Sequence, residues 1–156
     1  MIRIRAGAPA DLDRLLAIAG HSATAARWSR QEYAKLFVPG SAMKRVLLVI
    51  EENGRVMGFV VACAVELEWE IENIAVSGPA RRRGLGSHLL GELLNLVQKQ
   101  GGQAVFLEVR ESNHAARNLY EKWAFAEAGR RKSYYQDPPE DALVLRFSFS
   151  RSADFD

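Results

Sequence analysis

The segment Arg81-Arg82-Arg83-Gly84-Leu85-Gly86-Ser87 combines residue types that could bind an anion. It follows a predicted strand, about Trp69 to Val76, and precedes a helical pattern, so it is a strand-to-helix loop. A helix start exposes unpaired backbone N–H groups and carries partial positive charge. Gly84 and Gly86 let an anion approach the main chain, and the arginines suit phosphate oxygens. The loop predicts a phosphate site; a turn with solvated arginines is the alternative.

The common nucleotide-binding motifs do not fit this loop. A Walker A sequence would need a lysine directly after the second glycine, and Gly86 is followed by Ser87. A dinucleotide fingerprint would need a third glycine, where Leu89 stands. An acidic residue, Glu108, does lie about 20 positions on, where a ribose contact is expected. The chain is nevertheless short for a doubly wound sheet, which disfavours that interpretation.

Glu108 lies in the apolar segment Val105 to Val109, which is predicted to be a strand. It shares a face with Phe106, and the valines and Leu107 lie on the other face. A carboxylate in the middle of such a strand is unusual unless it has a partner or a chemical task. Two interpretations stay open here, a proton acceptor and a salt bridge to Arg110 or another cation.

The remaining residues that could take part in catalysis or ligand binding give weaker indications of such a role. Tyr120 falls in a predicted helix, where a tyrosine hydrogen-bonded in the core is the commoner case. The three histidines show no metal-ligand spacing with one another or with Cys63, so no metal site is predicted. Ser112 or Asn113 is expected to cap the helix that contains Tyr120.

Composition narrows the class of protein. The 156 residues suit one core, and we expect a single domain over residues 1–149 with a polar tail at 150–156. The net charge of +2 does not by itself indicate nucleic-acid binding, although arginines cluster at 81–83 and basic residues at 130–132. Neither a signal peptide nor a membrane-spanning segment is evident, which favours a cytoplasmic protein without membrane or nucleic-acid partners.

The hydrophobic pattern predicts the element order β-α-α-β-β-β-α-β-α-β-β. Ser29-Arg30-Gln31-Glu32 has the form of a capping box at the start of the second helix. Asn53-Gly54 between two β-branched runs predicts a hairpin. The strand ending at Val76, the following helix and the strand ending at Val109 form one crossover, which should place these two strands parallel. The fold class is therefore mixed α/β, with hairpins and one parallel β-α-β crossover.

Arg/Gln-x-x-Gly-x-Gly/Ala after a strand is the signature of the GNAT superfamily of acetyltransferases, which the loop resembles. Further segments match in order and narrow the resemblance to the RimI-type ribosomal-protein-alanine N-acetyltransferases. They are Asn73-Ile74-Ala75-Val76, Arg82-Arg83-Gly84-Leu85-Gly86, Leu107-Glu108-Val109-Arg110, Ser112-Asn113, Asn118-Leu119-Tyr120-Glu121 and Arg130-Arg131-Lys132-Ser133-Tyr134-Tyr135. The match extends from the opening strand to about Phe147, and Trp28-Ser29 also resembles that subfamily.

This resemblance implies a GNAT-like, mostly antiparallel central sheet with flanking helices, and acetyl-CoA as co-substrate. Glu108 matches the family's proton acceptor and Tyr120 its proton donor. The resemblance also implies the residues that contact the co-substrate: Ile74, Ala75 and Val76 for pantetheine and thioester, the loop Arg81, Arg82, Arg83, Gly84, Leu85, Gly86 and Ser87 for pyrophosphate, and Asn113. The implied acceptor is the N-terminal alanine of a small-subunit ribosomal protein.

Two departures from the family pattern bear on the acceptor. Lys122-Trp123-Ala124-Phe125 replaces a segment that usually contains a glycine, and Arg27 stands where a proline often precedes Trp-Ser. Acetylation of other protein N-termini, of lysines or of small amines therefore stays open, because acceptor choice is expected in the segments around Trp28 and Tyr134. A domain that binds acyl-CoA without catalysis is an alternative of another class, disfavoured because Glu108 and Tyr120 are both present.

Overall fold

The computed structural model describes residues 1–22, 25–40, 43–136 and 138–149. Its elements follow the predicted order. The strands are β1 Ile2–Ala6, β2 Arg45–Glu52, β3 Arg55–Val65, β4 Glu68–Val76, β5 Ala104–Arg110, β6 Ala126–Tyr135 and β7 Glu140–Ser148. The helices are α1 Leu12–Gly20, α2 Arg30–Ala34, α3 Leu85–Lys99 and α4 His114–Lys122. The polar tail expected at 150–156 lies outside the described residues.

The strands form a seven-stranded sheet in the order β1-β2-β3-β4-β5-β7-β6. β1 with β2, β2 with β3, β5 with β7 and β6 with β7 pair antiparallel. β4 and β5 run parallel, with Glu68 opposite Ala104 and Glu70 opposite Phe106. The predicted mixed, mostly antiparallel sheet with one parallel crossover is therefore confirmed.

Two compact units make up the chain. The first comprises Met1–Ala64 and Ile71–Leu96, and the second comprises Val65–Glu70 and Val97–Asp156. Within the described part of the chain, no helix has both the length and the apolar character needed to cross a membrane.

The first unit contains the predicted hairpin and the predicted capping box. Asn53 and Gly54 both have positive φ, 52° and 84°, which matches the turn signal in the sequence. The Ser29 hydroxyl accepts from the Glu32 amide at 3.2 Å, and the Glu32 carboxylate accepts from the Ser29 amide at 3.3 Å. The buried core of this unit includes Leu15, Ile18, Tyr33, Val49, Phe59 and Val61.

The second unit contains β5 and α4, which carry the predicted catalytic residues. In β5, Val105, Leu107 and Val109 are buried, as the alternating pattern predicts. Asn113 is the N-cap of α4, because its side-chain oxygen accepts from the Ala116 amide at 3.2 Å. The buried residue of this helix is Tyr120.

Candidate active site

The glycine loop leads directly into α3. A short 3-10 helix, Gly78–Ala80, follows β4, and the backbone then turns through positive φ at Arg82 (65°) and Gly84 (77°). A Cβ at Gly84 would meet no heavy atom of the described residues within 4 Å, so glycine is needed there for its conformation. The His88 amide donates to the Gly84 carbonyl at 3.0 Å, so the helical hydrogen-bond pattern of α3 begins at this loop. The main-chain N–H groups of a first helical turn are suited to hold an anion.

The arginines of this loop differ in their contacts. Arg81 donates to the Val76 carbonyl at 3.2 Å and to the His21 carbonyl at 3.0 Å, which ties the loop to the end of β4. Arg83 forms a two-point ion pair with the Glu52 carboxylate, one of whose contacts measures 2.9 Å. Arg82 is exposed. One arginine therefore braces the loop, and a second shares its charge with a carboxylate.

The end of β4 is held closely against β3. The Ser77 amide donates to the Met57 carbonyl at 2.7 Å. A Cβ at Gly58 would lie 2.9 Å from the Ala75 carbonyl oxygen, so glycine permits this close approach. The predicted pantetheine-binding backbone of Ile74, Ala75 and Val76 thus belongs to a tightly packed strand end in the same unit as the glycine loop.

Glu108 projects from β5 with its side chain only 15% exposed. Its carboxylate pairs with the Arg131 guanidinium at 2.8 Å and also accepts a hydrogen bond from the Tyr134 hydroxyl. That hydrogen bond raises the pKa of Tyr134. The partner named in the sequence alternative, Arg110, is instead bound to Glu140 at 3.3 Å. The cation that pairs with Glu108 therefore comes from β6.

Tyr120 and Asn113 both belong to α4. The Tyr120 ring packs against Phe125 with centroids 5.4 Å apart, and burial raises the pKa of its phenol. It therefore stays protonated at neutral pH. Asn113 caps the helix through its side-chain oxygen. The structure thus places both residues, with Glu108, in the second unit, whereas the glycine loop belongs to the first.

Two residues near the predicted ones were not predicted to have a role. Arg131 was noted within a basic run and a matching family segment but was given no role, because its approach to Glu108 depends on how β6 reaches β5 through β7. Asn73 is 3% exposed and donates to the Tyr33 hydroxyl. A signal for Asn73 was present in the sequence, since it is polar on a face otherwise formed by Trp69, Ile71 and Ala75.

Comparison with known proteins identifies the family of this chain. Residues 13–125 match the model of the acetyltransferase (GNAT) family. A putative ribosomal protein bS18-alanine N-acetyltransferase of Bacillus subtilis is 38% identical over 63% of this chain and 65% of its own length, just under two thirds. The ribosomal protein bS18-alanine N-acetyltransferase of Escherichia coli is 36% identical over 74% of this chain and 80% of its own length.

The structural comparison agrees. The crystal structure of that Escherichia coli enzyme superposes with a TM-score of 0.84 at 31% identity, covering 99% of this chain and 98% of the other. The RimI-type resemblance predicted from the sequence is therefore confirmed. This chain belongs to the GNAT acetyltransferase family.

Proposed function

We propose that this protein transfers the acetyl group of acetyl-CoA to the α-amine of the N-terminal alanine of a small-subunit ribosomal protein. Members of its family use acetyl-CoA as co-substrate, and its relative in Escherichia coli carries the name ribosomal protein bS18-alanine N-acetyltransferase. The observation that carries the proposal is Glu108, a mostly buried carboxylate whose neighbours in β5 from Ala104 to Val109 are all apolar. We further propose that residues 1–149 act as one domain and that the protein works in the cytoplasm.

On the co-substrate side, the glycine loop would hold the pyrophosphate. Leu85, Gly86 and Ser87 form the first turn of α3, where main-chain N–H groups and the helix dipole would stabilise an anion. Ile74–Val76 would bind pantetheine and the thioester through the backbone, and donors aimed at the carbonyl oxygen would stabilise the tetrahedral intermediate. Asn113 would add a polar contact to the co-substrate.

Glu108 would accept the proton of the attacking amine, directly or through a water molecule. An α-amine with a pKa near 8 is neutral in roughly a quarter of molecules at pH 7.5, against about one in a thousand for a lysine with a pKa near 10.4. A carboxylate base therefore suffices for an N-terminal amine more readily than for a lysine. The acetyl carbon gains the C–N bond to form the tetrahedral intermediate, and the C–S bond breaks when this intermediate collapses.

Tyr120 would donate its phenolic proton to the departing CoA thiolate. The raised pKa of this buried phenol keeps the proton available throughout the neutral range. Burial makes the phenol a weaker acid, but it also disfavours a thiolate at the same place and so raises the thiolate's affinity for the proton. Glu108 and Tyr120 thus have separate tasks, one at the amine and one at the leaving group.

The direct test is acetylation of a defined peptide. The enzyme is incubated with acetyl-CoA and a peptide copying the N-terminus of the bS18 protein from the same organism, and both free CoA thiol and peptide mass are followed. We expect acetylation of the α-amine and no reaction with the same peptide whose α-amine is blocked. Turnover confined to an internal lysine or a small amine would refute the proposed acceptor and leave acetyl transfer intact.

A further inference from the structure

Asn73 is a buried polar residue in β4 whose side chain links two other segments of the first unit. Its amide nitrogen donates to the Tyr33 hydroxyl of α2 at 2.9 Å, and its oxygen accepts from the Ala26 backbone amide at 3.1 Å. Asn73 is 3% exposed and Tyr33 is 1% exposed. Buried hydrogen bonds of this kind are costly to leave unmade, so they fix the geometry of the groups they join.

The segment that Asn73 fixes carries Trp28. Ala26 precedes Trp28 by two residues. The centroids of the Trp28 and Tyr33 rings lie 5.2 Å apart. Trp28 is only partly buried, so part of its indole reaches the surface. Asn73 therefore holds the main chain before Trp28 and, through Tyr33, the ring that supports it.

The preceding residue of β4 reaches Trp28 by another route. Glu72 forms a two-point ion pair with Arg45 at 2.9 and 3.0 Å, and the Arg45 guanidinium lies 5.9 Å from the centroid of the Trp28 ring. A cation at this distance from an indole is favourable. Two successive β4 residues thus constrain Trp28, one through Arg45 and the other through Tyr33 and Ala26.

We propose that Asn73 is a positioning residue that sets acceptor selection by fixing Trp28 relative to Ile74–Val76. The inference rests on the proposed function, in which the backbone of Ile74–Val76 binds the thioester and the segment around Trp28 borders the acceptor. Asn73 directly precedes Ile74, so one strand carries both the thioester-binding backbone and the anchor of the acceptor segment. Asn73 takes no part in bond making.

The test separates acceptor placement from general stability. Tyr33→Phe removes only the hydroxyl that Asn73 contacts, and Asn73→Ala removes both hydrogen bonds. KM is measured for acetyl-CoA and for the amine that the wild type acetylates fastest, so failure on the alanine peptide would change the proposed function without affecting this comparison. We expect the acceptor KM to rise roughly threefold in Tyr33→Phe and roughly tenfold in Asn73→Ala, with the acetyl-CoA KM changed less than twofold.

Asp11→Asn is the matched control. Asp11 is also a buried polar residue of the first unit, bound to Arg5 at 2.9 and 3.0 Å and to the Ala8 amide at 2.7 Å. Its replacement should lower thermal stability with both KM values unchanged. Equal rises in both KM values, no rise in either, or an acceptor effect as large in Asp11→Asn would overturn the proposal. Failure of both Tyr33→Phe and Asn73→Ala to fold would also overturn it, because the pair would then serve the fold itself.

Discussion

Two basic triplets in this chain, Arg81–Arg83 and Arg130–Lys132, look alike in sequence and differ in what the backbone does around them. The first stands in a loop with positive φ at Arg82 and Gly84, directly before a helix. The second lies within β6, where Arg130 pairs with Glu111 and Asp141. Its neighbour Arg131 pairs with Glu108.

The difference shows that the role of a basic run depends on the backbone and side-chain groups beside it. At the start of α3 the first helical turn presents main-chain N–H groups, and we propose that the loop binds an anion largely through its backbone. In β6, Arg130 and Arg131 are paired with carboxylates on β5, on β7 and in the turn after β5, so these two arginines organise side chains. We therefore expect backbone changes to matter most in the first region and carboxylate changes to matter most in the second.

The largest effect is expected from Glu108→Gln, which keeps the shape of the side chain and removes its basicity. Turnover near neutral pH should fall at least tenfold. A fall on the order of a hundredfold is expected, because a positioned base contributes about this much. The KM for acetyl-CoA should change little, since the glycine loop is untouched. Initial rates of CoA thiol release over a range of both substrates measure the two effects separately.

Glu111→Gln is the matched control for that prediction. Glu111 also pairs with an arginine of β6, Arg130, but it is 44% exposed where Glu108 is 15% exposed. Its replacement should leave turnover within about twofold of the wild type, because exposed ion pairs contribute little. Equal rates for Glu108→Gln and the wild type would remove Glu108 from the mechanism and favour a domain that binds acyl-CoA without catalysis.

Tyr120→Phe should have the next largest effect on turnover. It removes the proposed proton donor and keeps the ring that packs on Phe125. We expect turnover to fall roughly tenfold, less than for Glu108→Gln, because a thiolate with a pKa near 8.5 leaves without full protonation. Single-turnover acetylation measures the chemical step, and unchanged rates would show that another group protonates the thiolate.

The same variant makes a separate prediction for stability at high pH. All four tyrosines, Tyr33, Tyr120, Tyr134 and Tyr135, have raised pKa values in the folded chain. Above pH 10 the unfolded chain therefore loses these protons first, and the free energy of unfolding falls as pH rises. Tyr120→Phe should show a shallower fall between pH 10 and 11 in denaturant titrations; an identical slope would contradict the shift at Tyr120.

Most of the element order followed from local signals in the sequence. Asn53-Gly54 fixed the hairpin because both residues tolerate positive φ, and the Ser29 capping box fixed the start of α2. The parallel placement of β4 and β5 followed from the length of the crossover. The glycine loop was also recognisable, because its residues are contiguous and their conformation is local.

The contacts of individual side chains could not be predicted in the same way. Glu108 was predicted to be either a proton acceptor or the partner of Arg110 or another cation, and the cation beside it is Arg131, more than twenty residues away in sequence. Its approach depends on the register of β5 with β7 and of β7 with β6, including irregular steps in β6. The role of Asn73 similarly depends on α2 packing over β4. These contacts depend on how segments far apart in the sequence pair and pack, and a local sequence pattern does not specify that pairing.

Gly84→Ala tests whether the backbone conformation of the glycine loop matters for binding acetyl-CoA. Because Gly84 has φ of 77° and open space around its Cβ position, the substitution adds strain of about 1 kcal/mol without a clash. We expect the acetyl-CoA KM to rise roughly fivefold as the loop relaxes. Gly54→Ala is the control, since Gly54 has φ of 84°, equally open space and a place in the β2–β3 hairpin. It should lose similar stability with KM unchanged; equal KM changes in both variants would indicate a general loss of folding.

The smallest effects should come from the ion pair between Arg83 and Glu52. If Arg83 also contacts the pyrophosphate, Arg83→Gln should raise the acetyl-CoA KM about two- to threefold, because exposed charges are screened by water and salt. Glu52→Gln should then lower that KM slightly, since it releases the guanidinium that Glu52 now holds. Both changes should shrink as ionic strength rises. If the two variants instead shift KM in the same direction, the pair braces the loop as Arg81 does, and the loop binds its anion through the backbone alone.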